Sequence, residues 1–400
     1  MRFLAAAVTP VTWADLARGA RAAAARDGVA EFERALGAWF GGAHACTFGS
    51  LMRSVKACML AVRGTSTRRR VVLSRYSCPS FAHGILAAGL EIEYCDTDPC
   101  TLAFDMECFR RIDLSQVCAV VCANLFGLAY PVRDIAAACK AGGAALVEGV
   151  DYGIGTESGG ARLGTLGDFA ILNFQEGKAL PIGGGAVVTR HGDAMERVPG
   201  FSRRRPRGRR MLTLAAFRIL TNPHAYGLFI KAAQIGKVNL RRRFSMEDTI
   251  RKTRAEYDYA PEGGALDSVS DFQAGVGMAL LEKLEHHIEV RRRNAGIIEE
   301  TLGGARGVEL IERDPGLGKT HYIRYPCLVA AGARDGLIAH LHRRRIEASW
   351  MYVDQGMEVD AARFPGARRI RDCLVTLPCH PHVTADDARR IARTTAEFLA

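Results

Sequence analysis

The sequence predicts an α/β fold, a large and mostly parallel sheet with helices on both faces followed by a small C-terminal α+β unit. Three observations predict it. From residue 71 onward, short apolar runs alternate with amphipathic stretches at spacings that leave room for crossover helices. Three such runs, at 144–147, 169–172 and 186–188, are separated by glycine-rich turns, the pattern of buried strands whose ends emerge into a crevice. A length of 400 residues with 48% hydrophobic content is enough for two or three domains and a large core.

Taken in order, residues 12–40 have helical periodicity broken at Asp27-Gly28, with Phe32, Leu36, Trp39 and Phe40 at helix-compatible spacing. Cys46-Thr-Phe-Gly-Ser50 then leads into a helix over 53–62. Strands are expected at 71–73, 91–95, 117–122 and 144–147, with helices at 80–88 and 132–141 between them. Ligands of such sheets bind beyond the carboxyl ends of the strands. The turns at Ser77-Cys-Pro79, Asn124-Leu-Phe-Gly127, 148–155 and 173–178 are therefore expected to share one rim. The longest helical stretch is 269–301, with Phe272, Val276, Ala279, Leu280, Leu284 and Ile288 on one side. The last part reads as a strand at 322–329, a helix at 334–344, strands at 348–352 and 373–377, and a helix at 385–399 opened by Thr384 with Asp387 three residues on. We divide the chain into a large domain of residues 1–250 and a bridging helix with a small domain over 251–400.

The formal charge of +11 comes from 54 basic against 43 acidic residues, and Arg203-Arg-Arg-Pro-Arg-Gly-Arg-Arg210, Arg241-Arg-Arg243, Arg291-Arg-Arg293 and Arg343-Arg-Arg345 carry much of the excess. Such runs favour anionic partners, but most are simply solvated faces. No helix-turn-helix, zinc or RNP signature surrounds them, so nucleic acid is not expected as a partner. Residues 201–245 read as a basic helical excursion packed on the protein or at a dimer interface; peripheral contact with an anionic membrane is the sharper alternative. The twelve cysteines form no CxxC pair, which argues against a structural metal and for reduced cytosolic thiols. For His321, His380 and His382, polar surface or substrate-pocket contacts are expected rather than metal ligation. The apolar stretch of residues 3–8 is too short for a secretory core, no apolar run is long enough to cross a bilayer, and a cytoplasmic location is expected.

Two features point to chemistry. Lys178 stands alone just past a strand end. A half-buried lysine loses its charge more easily, and its neutral amine can form a Schiff base with a carbonyl; the plain alternative is a solvated loop lysine. Gly49-Ser50 opens a helix, where backbone N–H groups and the positive dipole end suit a phosphate, although many helices begin this way for capping alone.

Several motifs occur in the order of one family. Arg75-Tyr-Ser-Cys-Pro-Ser80, Ile85-Leu-Ala-Ala-Gly89 with Asp96-Thr-Asp98, Asn124-Leu-Phe-Gly127, Leu163-Gly-Thr-Leu-Gly-Asp168, Ser270-Asp-Phe-Gln-Ala274 and Leu377-Pro-Cys-His-Pro381 resemble the landmarks of the DegT/DnrJ/StrS sugar aminotransferases. The resemblance covers nearly the whole chain. It implies the fold-type-I architecture of pyridoxal-phosphate (PLP) enzymes, a homodimer, and transfer of an amino group from an amino-acid donor to a keto-sugar nucleotide. Lys178 falls where the family's Schiff-base lysine belongs and would form the internal aldimine; Gly49 and Ser50 would meet the PLP phosphate.

The departures are specific. Where the family reads Glu-Asp-Ala-Ala-Gln, this chain reads Glu148-Gly-Val-Asp-Tyr152, so Gly149 replaces the aspartate that keeps the ring nitrogen protonated, and Tyr152 replaces the glutamine. Asp151 either swings in to serve the ring or is an ordinary turn aspartate. Asn173 replaces a serine at the phosphate, Cys78 the stacking aromatic, with Tyr76 nearby, and Leu266-Asp-Ser268 the family's Asn-Tyr-Arg. The resemblance implies an aminotransferase of surface-polysaccharide or secondary-metabolite assembly. The departures leave open a catalytically degenerate binding or scaffold partner on the same fold.

Overall fold

Runs of small and β-branched residues that are apolar on both faces suit strands of a sheet covered on both sides, and most strands in the middle of this chain are such runs. In the computed structural model, which describes residues 2–192, 194–196, 198–201, 209–228, 266–312, 318–351 and 360–400, they are β1 (His44–Phe48), β2 (Arg70–Ser74), β3 (Glu91–Cys95), β4 (Val117–Ala123), β5 (Ala145–Gly149), the hairpin β6 (Glu157–Ser158) and β7 (Ala161–Arg162), β8 (Phe169–Asn173) and β9 (Gly185–Thr189). Seven of them form one sheet in the order β1-β9-β8-β5-β4-β2-β3. The β2, β3, β4, β5 and β8 pairings are parallel, and β9 runs antiparallel to both its neighbours.

Alternate residues feed two cores. Val72, Val120, Leu146 and Leu172 face one, with Phe32 and Leu36 of the helix Gly28–Trp39; Val71, Val121, Val147 and Ile171 face the other, with Val55, Met59, Phe81 and Ile85 of the helices Leu51–Thr65 and Pro79–Ala87. The six expected strands are all present in this sheet; its edge strand β1 was not expected. A second, antiparallel sheet of β10 (Val308–Leu310), β11 (Tyr325–Val329) and β12 (Leu374–Leu377) lies in the C-terminal part. The helix Ala385–Leu399 there begins with the full capping box of Thr384 and Asp387.

Four expectations are corrected. The long helix over 269–301 is two helices, Asp271–Glu282 and Leu284–Leu302; at Lys283 the N–H reaches back only three residues, to the Leu280 carbonyl, while Nζ pairs with Asp15 of the helix Trp13–Ala25. Residues 348–351 form no strand: Ser349 makes a single bridge to Thr376, and Tyr352 lies outside the described residues. Strand β11 starts at Tyr325 rather than 322. Cys373 ends a helix, Pro365–Cys373, that sequence periodicity missed; Asp96 accepts the Gly366 and Ala367 N–H groups at 2.8 and 2.9 Å and so caps it from 270 residues away. The proposed boundary at residue 250 and most of the basic segment 201–245 lie outside the described residues, apart from 201 and 209–228. Among the described residues no helix is long and apolar enough to cross a membrane.

Candidate active site

Adjacent parallel strands β5 and β8 end at Gly149 and Asn173, and the chain leaving each carries the reactive groups to one point. Lys178, in the loop from β8 to β9, is only 6% exposed, so the solvated-lysine alternative is excluded. Its Nζ lies 2.9 Å from Asp151 Oδ2 and 3.0 Å from the centre of the Tyr152 ring. The loop is anchored at the same residue: the Lys178 N–H bonds to the Gln175 carbonyl, and Thr9 Oγ1 donates to the Lys178 carbonyl at 2.8 Å.

Burial opposes both charges of the pair. It raises the Asp151 carboxyl above the usual carboxylate range, with Lys178 pulling the other way. At Lys178 burial lowers the amine, but the Asp151 carboxylate and then Tyr152 outweigh it and hold the amine above the ordinary lysine value. The resting lysine is therefore an ammonium, clamped between a carboxylate and the face of an aromatic ring.

A glycine at 149 has a steric reason here. A Cβ on Gly149 would stand 2.7 Å from Phe81 Cζ and 3.1 Å from Ala123 Cα, so the place of a side chain is taken by the Phe81 ring. Asp151, two residues on, is the buried carboxylate that reaches the lysine. Glu148, before the glycine, is fully buried and accepts the N–H groups of Gly164, Leu166 and Gly167 at 2.7, 2.9 and 2.7 Å. The Leu163-Gly-Thr-Leu-Gly-Asp168 motif is thus a loop wrapped round a carboxylate at the end of β5, holding the rim in place.

Cys78 caps the helix Pro79–Ala87; burial and then the Asp151 charge raise its thiol while Lys178 opposes them, which places it beside the pair. Tyr76 is buried and anchored through its N–H to Thr97 Oγ1. Asn173 meets the other end of the site: it faces Gly185 across the β8–β9 pair, and a Cβ on Gly185 would fall 2.6 Å from Ser54 Oγ and 3.3 Å from Leu51 Cα. This close approach brings Asn173 to the first turn of the helix that Ser50 caps. Asn173 Oδ1 accepts the Gln175 N–H, and its buried Nδ2 has no hydrogen-bond partner. The Gly49 N–H is already bonded to the Asp267 carbonyl at 2.8 Å and Ser50 Oγ accepts the Arg53 N–H at 3.2 Å as the N-cap, so the first-turn N–H groups before Arg53 are the ones left to face an anion. Leu266 is buried against Phe201, and Ser268 bonds to Thr47.

Sequence reasoning missed Phe81, Thr9, Arg291 and Arg324. Arg291 and Arg324 are 0% and 2% exposed; the only sequence signal was, for Arg324, a charge inside an apolar stretch, while Arg291 was read as part of a basic run. It also misplaced two histidines. His321 and His380 are core residues: His321 Nδ1 bonds to the Ile154 carbonyl at 2.7 Å with Arg291 Nη1 3.4 Å from its Nε2, and His380 Nε2 bonds to the Ala5 carbonyl at 2.8 Å. No cluster that could hold a metal ion occurs among the described residues. Burial lowers His380 to about 3, and burial followed by the Arg291 charge lowers His287 to about 4. Because these folded values lie below the unfolded one, their stabilisation is complete above about pH 6.5 and is lost as pH falls toward 4 and then 3. Denaturant unfolding at pH 7 and 5 should show a loss of about 2 kcal/mol per such histidine, and His380→Gln should flatten that slope.

The family described as DegT/DnrJ/EryC1/StrS aminotransferases matches residues 15–216 and 231–395. The chain is similar to the L-glutamine:2-deoxy-scyllo-inosose aminotransferase of Micromonospora echinospora, 25% identical over 277 residues that cover 69% of this chain and 56% of that protein. It is similar also to the GDP-perosamine synthase of Caulobacter vibrioides, 21% identical over 274 residues, 68% of this chain and 62% of that one. The chain spans about half the length of the curated relatives it matches. Among solved structures, the aminotransferase TlmJ of Streptoalloteichus hindustanus superposes with a TM-score of 0.75 at 20% identity over 99% of both chains, a likeness of fold.

Proposed function

The chain belongs to the DegT/DnrJ/EryC1/StrS aminotransferase family, and from that premise we propose that it is a PLP-dependent aminotransferase acting on a keto-sugar nucleotide or a related cyclic ketone, in surface-polysaccharide or secondary-metabolite assembly. The observation that carries the reading is Lys178, buried at the carboxyl ends of β5 and β8 with its amine on Asp151. The groups present fit the cofactor at two ends. Asn173 Nδ2, buried and without a partner, and the first turn after Ser50 suit a phosphate; Lys178 suits the aldehyde. At the ring nitrogen Gly149 offers nothing, and Asp151 is the carboxylate available.

When bound, PLP supplies an electrophilic carbonyl and an electron-withdrawing ring. The protein does the rest. Lys178 would act on a carbonyl only as the neutral amine, so its proton must first pass to an acceptor, and the Asp151 carboxylate, 2.9 Å away and raised by burial, is the one in reach. Once freed, the amine can carry a proton to and from the substrate carbon, with the Tyr152 ring setting its direction. Burial of Lys178, Asp151 and Tyr152 keeps water from the reacting centre. We place the enzyme in a homodimer with an amino-acid donor.

A second reading, a degenerate partner protein, is favoured by the Phe81 ring in the space beside Gly149. One experiment separates the two. Added PLP should give the wild-type protein a visible absorption band, absent in Lys178→Ala, and borohydride should leave a reduced pyridoxyl-phosphate mass on the Lys178 peptide. A wild-type protein that gives neither band nor adduct at saturating PLP is not an enzyme of this kind.

A further inference from the structure

Three buried cations stand around the lysine loop. Lys178 has Asp151 as counter-ion. Arg291 has no carboxylate partner among the described residues but is enclosed by acceptors: its Nη2 donates to Thr9 Oγ1 at 2.7 Å and to the Val8 carbonyl at 3.1 Å, and its Nη1 points at the His287 carbonyl and His321. Arg324 is different. It is 2% exposed, and Nη1 makes its one hydrogen bond, 2.5 Å to Ser349 Oγ. Its Nε is buried with no acceptor, as is that of Arg291, and unlike Arg291 its Nη2 makes no hydrogen bond among the described residues.

Nε and Nη2 form the side-on edge of a guanidinium, the pair of parallel N–H groups that matches the two oxygens of a carboxylate. That edge lies beside the site. Nη2 is 3.7 Å from the point where a Cβ on Gly177 would stand, and Gly177 directly precedes Lys178 with φ +81°, a conformation that favours glycine. Ser349 Oγ, held in turn by Thr376 Oγ1 at 3.1 Å, fixes the opposite corner of the guanidinium, so the free edge has one orientation. A buried guanidinium with only one of its five N–H donors met is costly unless an anion completes it.

We propose that Arg324 is a carboxylate-binding residue of this site, taking a carboxylate of the amino-acid donor so that its amine lies at the Lys178 end. The identity of the carrier as an amino donor rests on the aminotransferase reading; the carboxylate site itself does not. Arg324 comes from the segment leading into β11, in the second sheet, and so joins that part of the chain to the lysine loop of the first.

The test is calorimetric titration of the purified protein with glutarate, a dicarboxylate that has no amine to react, and separately with inorganic phosphate. Glutarate should bind the wild type, Arg324→Gln should weaken it tenfold or more, and Arg324→Lys, which keeps the charge but loses the fork, should fall between; phosphate should be indifferent to both changes. The lysine variant keeps the buried charge and supplies the comparison if the glutamine variant does not fold. No glutarate binding by the wild type, equal binding by the variants, or an Arg324-dependent response to phosphate alone would overturn the assignment. Because glutarate forms no bond with Lys178, its titration and the pyridoxyl-phosphate trapping can fail independently.

Discussion

Asp151→Ala is expected to destabilise the protein by about 3–5 kcal/mol at neutral pH, the usual result of leaving one partner of a buried ion pair alone. Asp151 is 3% exposed and its carboxylate outweighs the burial that otherwise drives Lys178 toward neutrality. In the wild type the folded lysine value lies above the unfolded one, so the pair's contribution is complete below the unfolded lysine value and is lost as pH rises through the folded one. In the variant burial is opposed only by Tyr152 and Cys78, and the amine is expected to fall below the unfolded value. Its contribution then reverses sign in pH: the variant is least stable where the buried amine must carry a proton and recovers as pH rises. Urea unfolding at pH 7 and pH 9.5 should therefore show the gap to wild type narrowing at the higher pH. The same change should move the onset of lysine reactivity toward neutral pH, read as the pH dependence of PLP trapping on Lys178. A gap that is constant with pH would show that Asp151 does not control the amine.

Gly149→Asp is the second large effect. On sequence grounds it restores the residue that the family has there, and a gain of function would be the natural guess. The structure predicts the opposite. The new Cβ would overlap the Phe81 ring and come within 3.1 Å of the Ala123 backbone, and β4 cannot move aside without disturbing its pairing to β5. Overpacking typically costs about 1–3 kcal/mol, and an unpaired carboxylate added beside Asp151 costs more. A loss above about 3 kcal/mol is expected, seen as a lower midpoint in denaturant. Phe81→Ala in the same chain should recover the steric part and leave the electrostatic part, so the two substitutions should be non-additive in a double-mutant cycle. Additive losses would show that Phe81 is not what excludes a side chain at 149.

Within the site, legibility followed the range of the physics. Lys178 was named from the sequence because it sits just past a strand end, and strand ends are written locally in apolar runs and glycines, whereas Asp151, Tyr152 and Asn173 were named only through the family resemblance. For Asp151 the structure shows a place that neither sequence alternative named: its carboxylate is a partner of the lysine, 27 residues away. The phosphate end was legible as a serine opening a helix, but not that the Gly49 N–H is taken by Asp267. Arg324 carried no local pattern at all, since its importance lies in what it lacks once folded.

The sequence by itself determined six strands of the mostly parallel sheet and the helices between them, because hydrophobic period, turn chemistry and caps are encoded over a few neighbouring residues; the family was legible in the order of its motifs. Tertiary structure alone decided which carboxylate meets Lys178, why position 149 holds a glycine, that Asp96 starts a helix 270 residues later, and that an arginine of the second sheet stands beside the lysine loop. Those are matters of distance between segments remote in sequence, and charge, burial and steric exclusion act through space.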